Sequence, residues 1–306
     1  YSQPNTHKEF HVGHSRNAIL GAALVKIHRF LNKKPKNVIA ANYIGDTGVH
    51  VAKVLWYITK FNSNIDIPKG VTNSEYLGQA YTEAVKKLEE DETLNQEVSD
   101  IHKELEAGDK DLVSLWRSTK EWSMIGFYDV YNLLNVEFDE WFWESEEEAV
   151  GKKIVQNILD EKTIPQIRKS DGAVIADLKE FKLEVLVLIK SDGNALYGAK
   201  DIPLGMKKFD KFKVKKSIYV VDNRQSLYIK QVFKLLDLLG YEDREKIHVA
   251  YDFVTLPDGA MASRKGNVVT FSKFYNEIWK KTIEETKERH DEWPRDRIEA
   301  VASKIA

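Results

Sequence analysis

Two histidines three residues apart, His11 and His14, flank Gly13 at the predicted start of a helix. The N-terminus of a helix presents free backbone N–H groups and the positive end of the helix dipole, so it binds phosphate well. Imidazoles at this place add donors directed at phosphoryl oxygens, and a glycine lacks the Cβ that would keep a nucleotide away from the backbone. The segment predicts phosphate binding. The alternative, which is more common for an isolated pattern, is a pair of histidines that cap a helix or pack in a core.

A basic loop near the end of the sequence is the second segment that could act on phosphates. It runs from Met261 to Asn267 and includes Ser263 and Lys265. Flexible cations near a polyphosphate can stabilise the charge that grows on a leaving pyrophosphate. On spacing alone, the alternative of a solvated surface loop is the more common one.

The composition of the sequence excludes several classes of protein. Its 306 residues contain 46 Lys and Arg against 48 Asp and Glu, which excludes a strongly basic nucleic-acid-binding protein. No apolar run approaches the roughly 18 residues of a membrane helix, and no signal-peptide pattern is found, so we expect neither a membrane nor a secreted protein. The absence of cysteine excludes disulfides, zinc–thiolate sites and cysteine catalysis, and it fits the cytoplasm that we expect as location.

Hydrophobic periodicity predicts the helices and strands around these two segments. Apolar residues at helical spacing after His14 predict a helix that ends near Asn32, and the run 38–43 predicts a buried strand with a loop at its carboxyl end. Residues 74–135 have a helical pattern. The later predicted elements are strands 173–178 and 185–189, strand 217–221, helix 226–239, strand 246–250 and helix 272–289. This order predicts an α/β fold, a Rossmann-like parallel sheet split by a mainly helical insertion and followed by the start of a helical region.

Several segments, taken in the same order, resemble the arginyl-tRNA synthetase family. They are Ser2-Gln3-Pro4-Asn5 with Lys8 and the His11-Val12-Gly13-His14 motif, Asn42-Tyr43-Ile44-Gly45-Asp46, Ser170-Asp171-Gly172-Ala173, Leu196-Tyr197 with Asp201, Tyr219-Val220-Val221-Asp222 with Arg224-Gln225-Ser226-Leu227, and the loop 261–267. The two-histidine motif alone indicates only class I synthetases and related nucleotidyltransferases. The segment before it and the Arg-Gln-Ser-Leu segment are similar to the arginine enzymes in particular.

The resemblance implies an aminoacyl-tRNA ligase of protein biosynthesis that uses ATP. Such an enzyme condenses L-arginine with ATP to arginyl-adenylate and transfers the arginyl group to the 3′-terminal adenosine of tRNA(Arg). By the same resemblance the catalytic residues are Lys8, His11, His14 and Lys265, and the ATP-binding residues are His11, Gly13, His14, Met261, Ser263 and Lys265. No group of side chains has metal-ligand spacing, so no metal site is predicted, and Mg²⁺ is expected to arrive with ATP.

The side chain of arginine requires carboxylate partners, because its five N–H donors form a planar fork. The resemblance assigns Asp201, Tyr197 and Glu144 to the guanidinium. It assigns Asn5 and Gln225 to the α-amino and carboxylate end. Each assignment has a structural alternative: a helix N-cap for Asp201, a solvated acidic face for Glu144, the core for Tyr197 and a helix-start position for Gln225. Asp46 could cap the helix that follows it or orient the ribose or the tRNA end.

The resemblance also predicts how the chain is divided. The predicted parts are 1–65 as the first half of the Rossmann-like catalytic domain, 66–189 as a connective insertion that is mainly helical with a β-rich end, 190–255 as the second half, and 256–306 as the signature loop and the start of a helical stem. The family's first strand, a small N-terminal domain and a helical anticodon-binding domain would lie outside this chain, and a monomer is favoured. Gly198-Ala199-Lys200 stands where Leu-Thr-Arg is common in the family. Two alternatives stay open: another class I synthetase or nucleotidyltransferase, and an inactive, synthetase-derived binding module.

Overall fold

The computed structural model describes residues 1–256, 259–260 and 269–306, which form both helices and strands. The helices are α1 (Val12–Leu31), α2 (Val49–Phe61), α3 (Asn73–Glu90), α4 (Asn95–Glu106), α5 (Lys110–Leu133), α6 (Glu144–Glu161), α7 (Tyr197–Phe212), α8 (Ser226–Leu236), α9 (Phe271–Arg289) and α10 (Arg295–Ile305). The strands are β1 (Ala41–Ile44), β2 (Glu140–Trp143), β3 (Ile167–Ser170), β4 (Ala173–Asp177), β5 (Val185–Ile189), β6 (Lys216–Asp222), β7 (Glu245–Tyr251), β8 (Thr255–Leu256) and β9 (Gly259–Ala260). Within these ranges, no helix is both long enough and apolar enough to cross a membrane.

The chain is divided into two compact units by its internal contacts. Unit 1 comprises Tyr1–Thr6, Asn17–Val51 and Asn135–Phe253. Unit 2 comprises His7–Arg16, Ala52–Leu134 and Val254–Ala306. Strands β1 to β7 and helices α6 to α8 belong to unit 1, whereas α3, α4, α5, α9 and α10 belong to unit 2.

Unit 1 contains the parallel strand pairs. Strand β1 pairs with β2 from Ala41 opposite Glu140, and β6 pairs with β7 over seven residues from Lys216 opposite Glu245. Strands β3, β4 and β5 form an antiparallel sheet in that order. Buried parallel strands are nearly continuous in apolar residues, and the run 218–221 of β6 has that character. The parallel pairing and the helical segment 73–133 confirm the predicted α/β fold with a helical insertion.

Unit 2 is built mainly on helices whose ends are capped by side chains. Thr72 and Glu75 form a reciprocal capping box at the start of α3, and Asp109 accepts from two backbone N–H groups at the start of α5. Apolar residues at helical spacing on α2 and α3 form one core cluster, in which Leu77 is fully buried. These helices provide the scaffold for the segment that carries His11 and His14.

Two predicted boundaries differ from the observed ones by three residues. The strand predicted from residue 38 begins at Ala41, because Pro35–Asn37 form a 3₁₀ turn and Val38 follows as its cap. The helix predicted to residue 239 is α-helical only to Leu236, and Asp237–Tyr241 continue as a π-helical turn. That turn includes Gly240 at φ +92°, a left-handed conformation that favours glycine.

A cavity of about 680 Å³ lies in unit 1 against residues of β1, β6 and α1. Among the described residues, β1 pairs only with β2 and β6 only with β7. No side chain predicted to bind a substrate lines this cavity. The candidate site is therefore described from the predicted residues and the groups around them.

Candidate active site

The rings of His11 and His14 each use one nitrogen to cap α1. Nδ1 of His11 accepts from the N–H groups of Gly13 at 3.1 Å and His14 at 3.3 Å, and Nδ1 of His14 accepts from the His11 N–H at 3.4 Å. The two rings stack with their centroids 3.7 Å apart. A neutral imidazole whose Nδ1 accepts carries its proton on Nε2. The two histidines therefore cap the helix, as the structural alternative predicted. The Nε2–H group of each ring can still donate a hydrogen bond.

Burial keeps both of these rings neutral. It lowers the pKa of His11 to about 4, with the charge of Lys8 acting in the same direction. Burial, and then the charges of His11 and Lys8, hold the pKa of His14 well below its ordinary value. A Cβ added to Gly13 would lie 2.9 Å from Cε1 of His11, so the ring can fold back over the helix start only beside a glycine.

Lys8 is held by the insertion helices. Its ammonium lies 4.7 Å from the centre of the Tyr81 ring on α3, within cation–π range. The preceding residue, His7, is fully buried at φ +61°, and its ring bonds to Thr119 Oγ1 at 2.7 Å. Its backbone N–H donates to Ser123 Oγ at 2.9 Å. Two contacts with α5 thus fix the chain next to Lys8.

The residues directly after the predicted basic loop form hydrogen bonds with the two neighbours of His11. The N–H of Val12 donates to the carbonyl of Val269 at 3.2 Å, and the N–H of Phe271 donates to the carbonyl of Phe10 at 2.8 Å. The predicted loop residues Met261, Ser263 and Lys265 lie outside the described residues. The described chain resumes beside the histidine motif.

In unit 1, the charges of four carboxylates raise the pKa of the Tyr43 hydroxyl. Burial raises the pKa of this hydroxyl, and the charges of Asp201, Glu144, Glu147 and Asp46 raise it further. The hydroxyl is buried and has no hydrogen-bond partner among the described residues. A buried polar group normally has a partner, and an unpartnered hydroxyl beside carboxylates is an arrangement that can bind a ligand with several N–H donors.

Asp201 lies inside α7 and not at its N-cap, which is Leu196, so the capping alternative is wrong. Its carboxylate accepts a hydrogen bond from the hydroxyl of Tyr228 on α8. Burial raises the pKa of Asp201, against the opposing effects of this bond, Lys208 and Lys200. The carboxylate is therefore held in position by one donor and has capacity for further donors.

Glu144 and Asn5 present oxygens to the same spot beside Gly45. A Cβ added to Gly45 would lie 2.1 Å from Asn5 Oδ1 and 3.2 Å from Glu144 Oε2. Glu144 is only 6% exposed, so the alternative of a solvated acidic face is wrong for it. These two acceptor oxygens border a space beside Gly45 that any side chain at this position would fill.

Asp46 fixes the start of α6. Its Oδ1 accepts from the N–H of Ser145 at 2.9 Å and its Oδ2 from the hydroxyl of the same residue at 2.8 Å. Asp46 thus caps α6 from outside that helix, a contact that the sequence did not predict. Because Glu144 is the first residue of α6, this cap also positions Glu144.

The two remaining predicted residues lie at helix starts. Tyr197 is the first residue of α7 and is 69% exposed, so the core alternative is wrong. It lies four residues before Asp201 and therefore on the same face of the helix. Gln225 is exposed, immediately precedes α8 and donates to Asp222, in agreement with its helix-start alternative.

Three polar residues of this site were not identified from the sequence. Tyr43 lies within the quoted Asn-Tyr-Ile-Gly-Asp segment, and Tyr228 directly follows the quoted Arg-Gln-Ser-Leu segment, so proximity to a motif was the available signal. Lys200 lies where the sequence departs from the family pattern. In the described part of the chain, no group of three acidic or histidine side chains could hold a metal ion.

Comparison with known proteins gives a consistent result. The family described as "tRNA synthetases class I (R), catalytic domain" matches residues 1–306. The arginine–tRNA ligase of Bdellovibrio bacteriovorus is 39% identical over 314 residues, which cover 100% of this chain and 53% of that protein. The arginine–tRNA ligase of Halothermothrix orenii is 33% identical over 289 residues, which cover 94% of this chain and 49% of that protein. The chain thus spans about half the length of these relatives.

The fold is also similar to that of a solved structure. The arginyl-tRNA synthetase from Plasmodium falciparum aligns with a TM-score of 0.76 at 21% identity, covering 99% of this chain and 49% of that one. This likeness concerns the fold, and it confirms the predicted fold class.

Proposed function

The chain belongs to the class I (R) tRNA synthetase catalytic-domain family, and on that premise we propose that it activates L-arginine with ATP and transfers it to tRNA(Arg). In the first step a carboxylate oxygen of arginine attacks the α-phosphorus of ATP, the bond to the pyrophosphate breaks, and arginyl-adenylate forms. In the second step a ribose hydroxyl of the 3′-terminal adenosine attacks the arginyl carbonyl, and AMP leaves. The observation that carries the proposal is the buried, unpartnered Tyr43 hydroxyl and the four carboxylates whose charges act on it, a group that we call the acidic pocket.

The histidine motif suits this chemistry because the arginine carboxylate is itself the nucleophile. Activation then needs no protein base, and catalysis consists of positioning plus stabilisation of charge on the phosphates. Neutral rings with Nε2–H, as assigned to His11 and His14, are donors for phosphoryl oxygens. We assign Gly13 to the close approach of the nucleotide.

Lys8 and Lys265 are the proposed cations for the polyphosphate. Lys8 is near enough to both histidines for its charge to lower their pKa values. Lys265 lies four residues before Val269, whose carbonyl bonds to Val12. This chain connection supports a role for the loop, in which we also assign Met261 and Ser263 to ATP binding.

The acidic pocket is proposed to hold the guanidinium. Asp201 and Glu144 supply carboxylates, with Tyr197 beside them on α7. Five fixed donors need this kind of acceptor set, whereas uncharged citrulline would bring no positive charge to these buried carboxylates. Asn5 and Gln225 are the proposed contacts for the α-amino and carboxylate end.

The proposed partners follow from the reaction. Mg²⁺ would enter with ATP and be held mainly by its phosphates. The tRNA(Arg) would be charged in the cytoplasm, by a monomer of this chain. We propose that the chain has four parts, with boundaries after residues 65, 189 and 255.

Amino-acid-dependent ATP–pyrophosphate exchange tests the proposal. It should be measured with and without tRNA(Arg), with arginine, lysine, glutamate and citrulline in parallel. We expect exchange to depend on arginine above the other three. Dependence on another amino acid would indicate another class I synthetase, and the absence of both exchange and arginine binding by calorimetry would indicate an inactive module.

A further inference from the structure

A buried lysine links two helices at the acidic pocket. Lys200 of α7 is 6% exposed, and its Nζ lies 2.8 Å from Oε1 of Glu144 and 2.8 Å from Oε2 of Glu148, both on α6. The second oxygen of Glu148 contacts Lys152 at 3.2 Å. An ammonium removed from water in this way is stable only because both carboxylates are in place.

The two helices approach closely enough to fix these contacts. A Cβ added to Gly151 on α6 would lie 1.9 Å from the carbonyl oxygen of Ala199 on α7. Glu144, Glu148 and Gly151 are spaced four and three residues apart, so they lie on the same face of α6. Lys200 follows Ala199 and is therefore positioned by backbone packing, not only by its own side chain.

The two oxygens of Glu144 consequently face different groups. Oε1 accepts from Lys200, and Oε2 lies beside Gly45 and Asn5 Oδ1. We propose that Lys200 is a positioning residue for arginine recognition, which keeps Glu144 ionised and binds Oε1 so that Oε2 alone is presented to the guanidinium. This inference rests on the proposed function.

The groups around Glu144 give the sign of the effect. Burial raises the pKa of Glu144, and Lys200 opposes that increase. The charged and titratable groups that face Glu144 are Lys200 and Asp201 of α7, Asp46 after β1, Tyr43 of β1 and Tyr197 of α7. Burial and the like charges of Asp201 and Asp46 favour the protonated carboxyl, so removal of Lys200 shifts the balance towards that form.

Lys200→Met tests the inference through the pH dependence of the arginine KM. We expect the KM for arginine to rise about tenfold or more at pH 7, and we expect the difference from wild type to shrink as the pH is raised, because a higher pH favours the ionised form of Glu144. The KM for ATP should not change. Comparison with wild type at each pH cancels the titration of the substrate's amino group.

Three further variants make the result specific. Lys200→Arg should restore the wild-type profile, because a guanidinium can bond to both glutamates. Lys200→Gln keeps a hydrogen-bond donor without charge, so it should repeat the pH-dependent KM even if the methionine variant does not fold. Lys211→Met removes an exposed ion pair with Glu140 from the same helix and should behave as wild type.

The outcomes separate the two proposals. Arginine-dependent exchange in wild type, together with an arginine KM in Lys200→Gln that equals wild type at every pH, would overturn this inference alone. An arginine KM that rises equally at all pH values would also overturn it, because it would show a purely structural role. Wild-type exchange without arginine dependence would overturn the proposed function itself.

Discussion

At the scale of single residues, the histidine motif shows how one side chain serves structure and chemistry together. Nδ1 of each ring replaces a missing helical acceptor at the start of α1, and this bond determines which nitrogen carries the proton. The usual choice between a capping histidine and a ligand-binding one does not apply here. The cap fixes the tautomer that a phosphate would require.

His11→Asn separates these two tasks. The asparagine oxygen can accept the backbone N–H groups in place of Nδ1, but nothing replaces Nε2–H. We expect thermal stability close to wild type and a loss of ATP–pyrophosphate exchange of about 10²-fold or more, comparable with removal of one donor to a developing charge. His11→Gln, whose amide reaches towards the Nε2 position, is the matched control and should retain more exchange at lower stability. Undiminished exchange in His11→Asn would rule out the donor role.

Asp201→Asn tests the guanidinium pocket. The change removes the charge of a carboxylate held by Tyr228 but preserves its size, so the arginine KM should rise about a hundredfold. Tyr228→Phe keeps the charge and loosens only its orientation, and its effect should be about tenfold or less. Steady-state exchange at varied arginine concentration measures both. Equal KM values for Asp201→Asn and wild type would exclude Asp201 from the pocket.

Sequence reasoning identified residues whose type and spacing are themselves the signal. His11 and Gly13 belong to a local motif, and their geometry depends on four consecutive residues. Tyr228 and Lys200 could not be identified in this way, because their partners are 27 and 56 residues distant along the chain. The roles of the predicted site residues stay predictions until the variants are measured.

At the scale of elements, the alternation of apolar runs predicted β4 to β7 and α8 within a few residues. It did not predict β2 or α6. Strand β2 has only four residues, and α6 begins with an acidic run that is typical of a solvated surface. Glu144 and Glu147 are nevertheless buried, because lysines of α7 pair with them. Ion pairs between two helices do not alter the hydrophobic periodicity of either helix, so periodicity cannot predict them.

Gly151→Ala tests the close approach of α6 and α7. In an exposed helix this change would stabilise the protein by roughly 0.5 to 1 kcal/mol. Here the added methyl group would lie 1.9 Å from the carbonyl oxygen of Ala199, so we expect a loss of about 1 to 3 kcal/mol. Urea denaturation measures whether the change lowers or raises the free energy of unfolding. Asn157→Ala, at an exposed position of α6, is the control and should be neutral or slightly stabilising.

At the scale of the whole molecule, the sequence predicted the fold class but not the grouping of its parts. Each unit is assembled from three separate segments, and α1 and α2 each contribute residues to both units. Periodicity shows which face of an element is apolar, but it does not show which distant element covers that face. The predicted boundaries at 65, 189 and 255 follow the family pattern along the chain, and they stay a prediction.

Net charge gave equally little information about function. The near balance of 46 basic and 48 acidic residues conceals a local excess of carboxylates around Tyr43 and a cation beside neutral histidines. Charge arrangement, not total charge, distinguishes the surroundings of Tyr43 from those of the histidine motif.

The stability of the protein in acid should depend on three histidines that are partly or fully buried. Burial lowers the pKa of His7 to about 3 and that of His11 to about 4, and it lowers that of His14 as well. In the unfolded chain these rings titrate near 6.5, so below that pH the unfolded state binds more protons than the folded state. The contribution of these three rings to stability should therefore be constant above about pH 7 and fall by about 3 kcal/mol or more between pH 6.5 and pH 4. Carboxyls with raised pKa, Asp201 and Glu144, offset part of this loss.

Urea denaturation at several pH values, combined with two histidine variants, tests this origin of acid sensitivity. His7→Asn keeps a polar side chain at φ +61°, a conformation that asparagine tolerates, and removes one titrating ring. Its free energy of unfolding should fall less steeply below pH 6.5 than that of wild type. His290→Asn, whose side chain is 41% exposed in wild type, should keep the wild-type slope. A slope that is unchanged in His7→Asn, or a wild-type protein equally stable at pH 7 and pH 4.5, would show that the buried rings do not control acid unfolding.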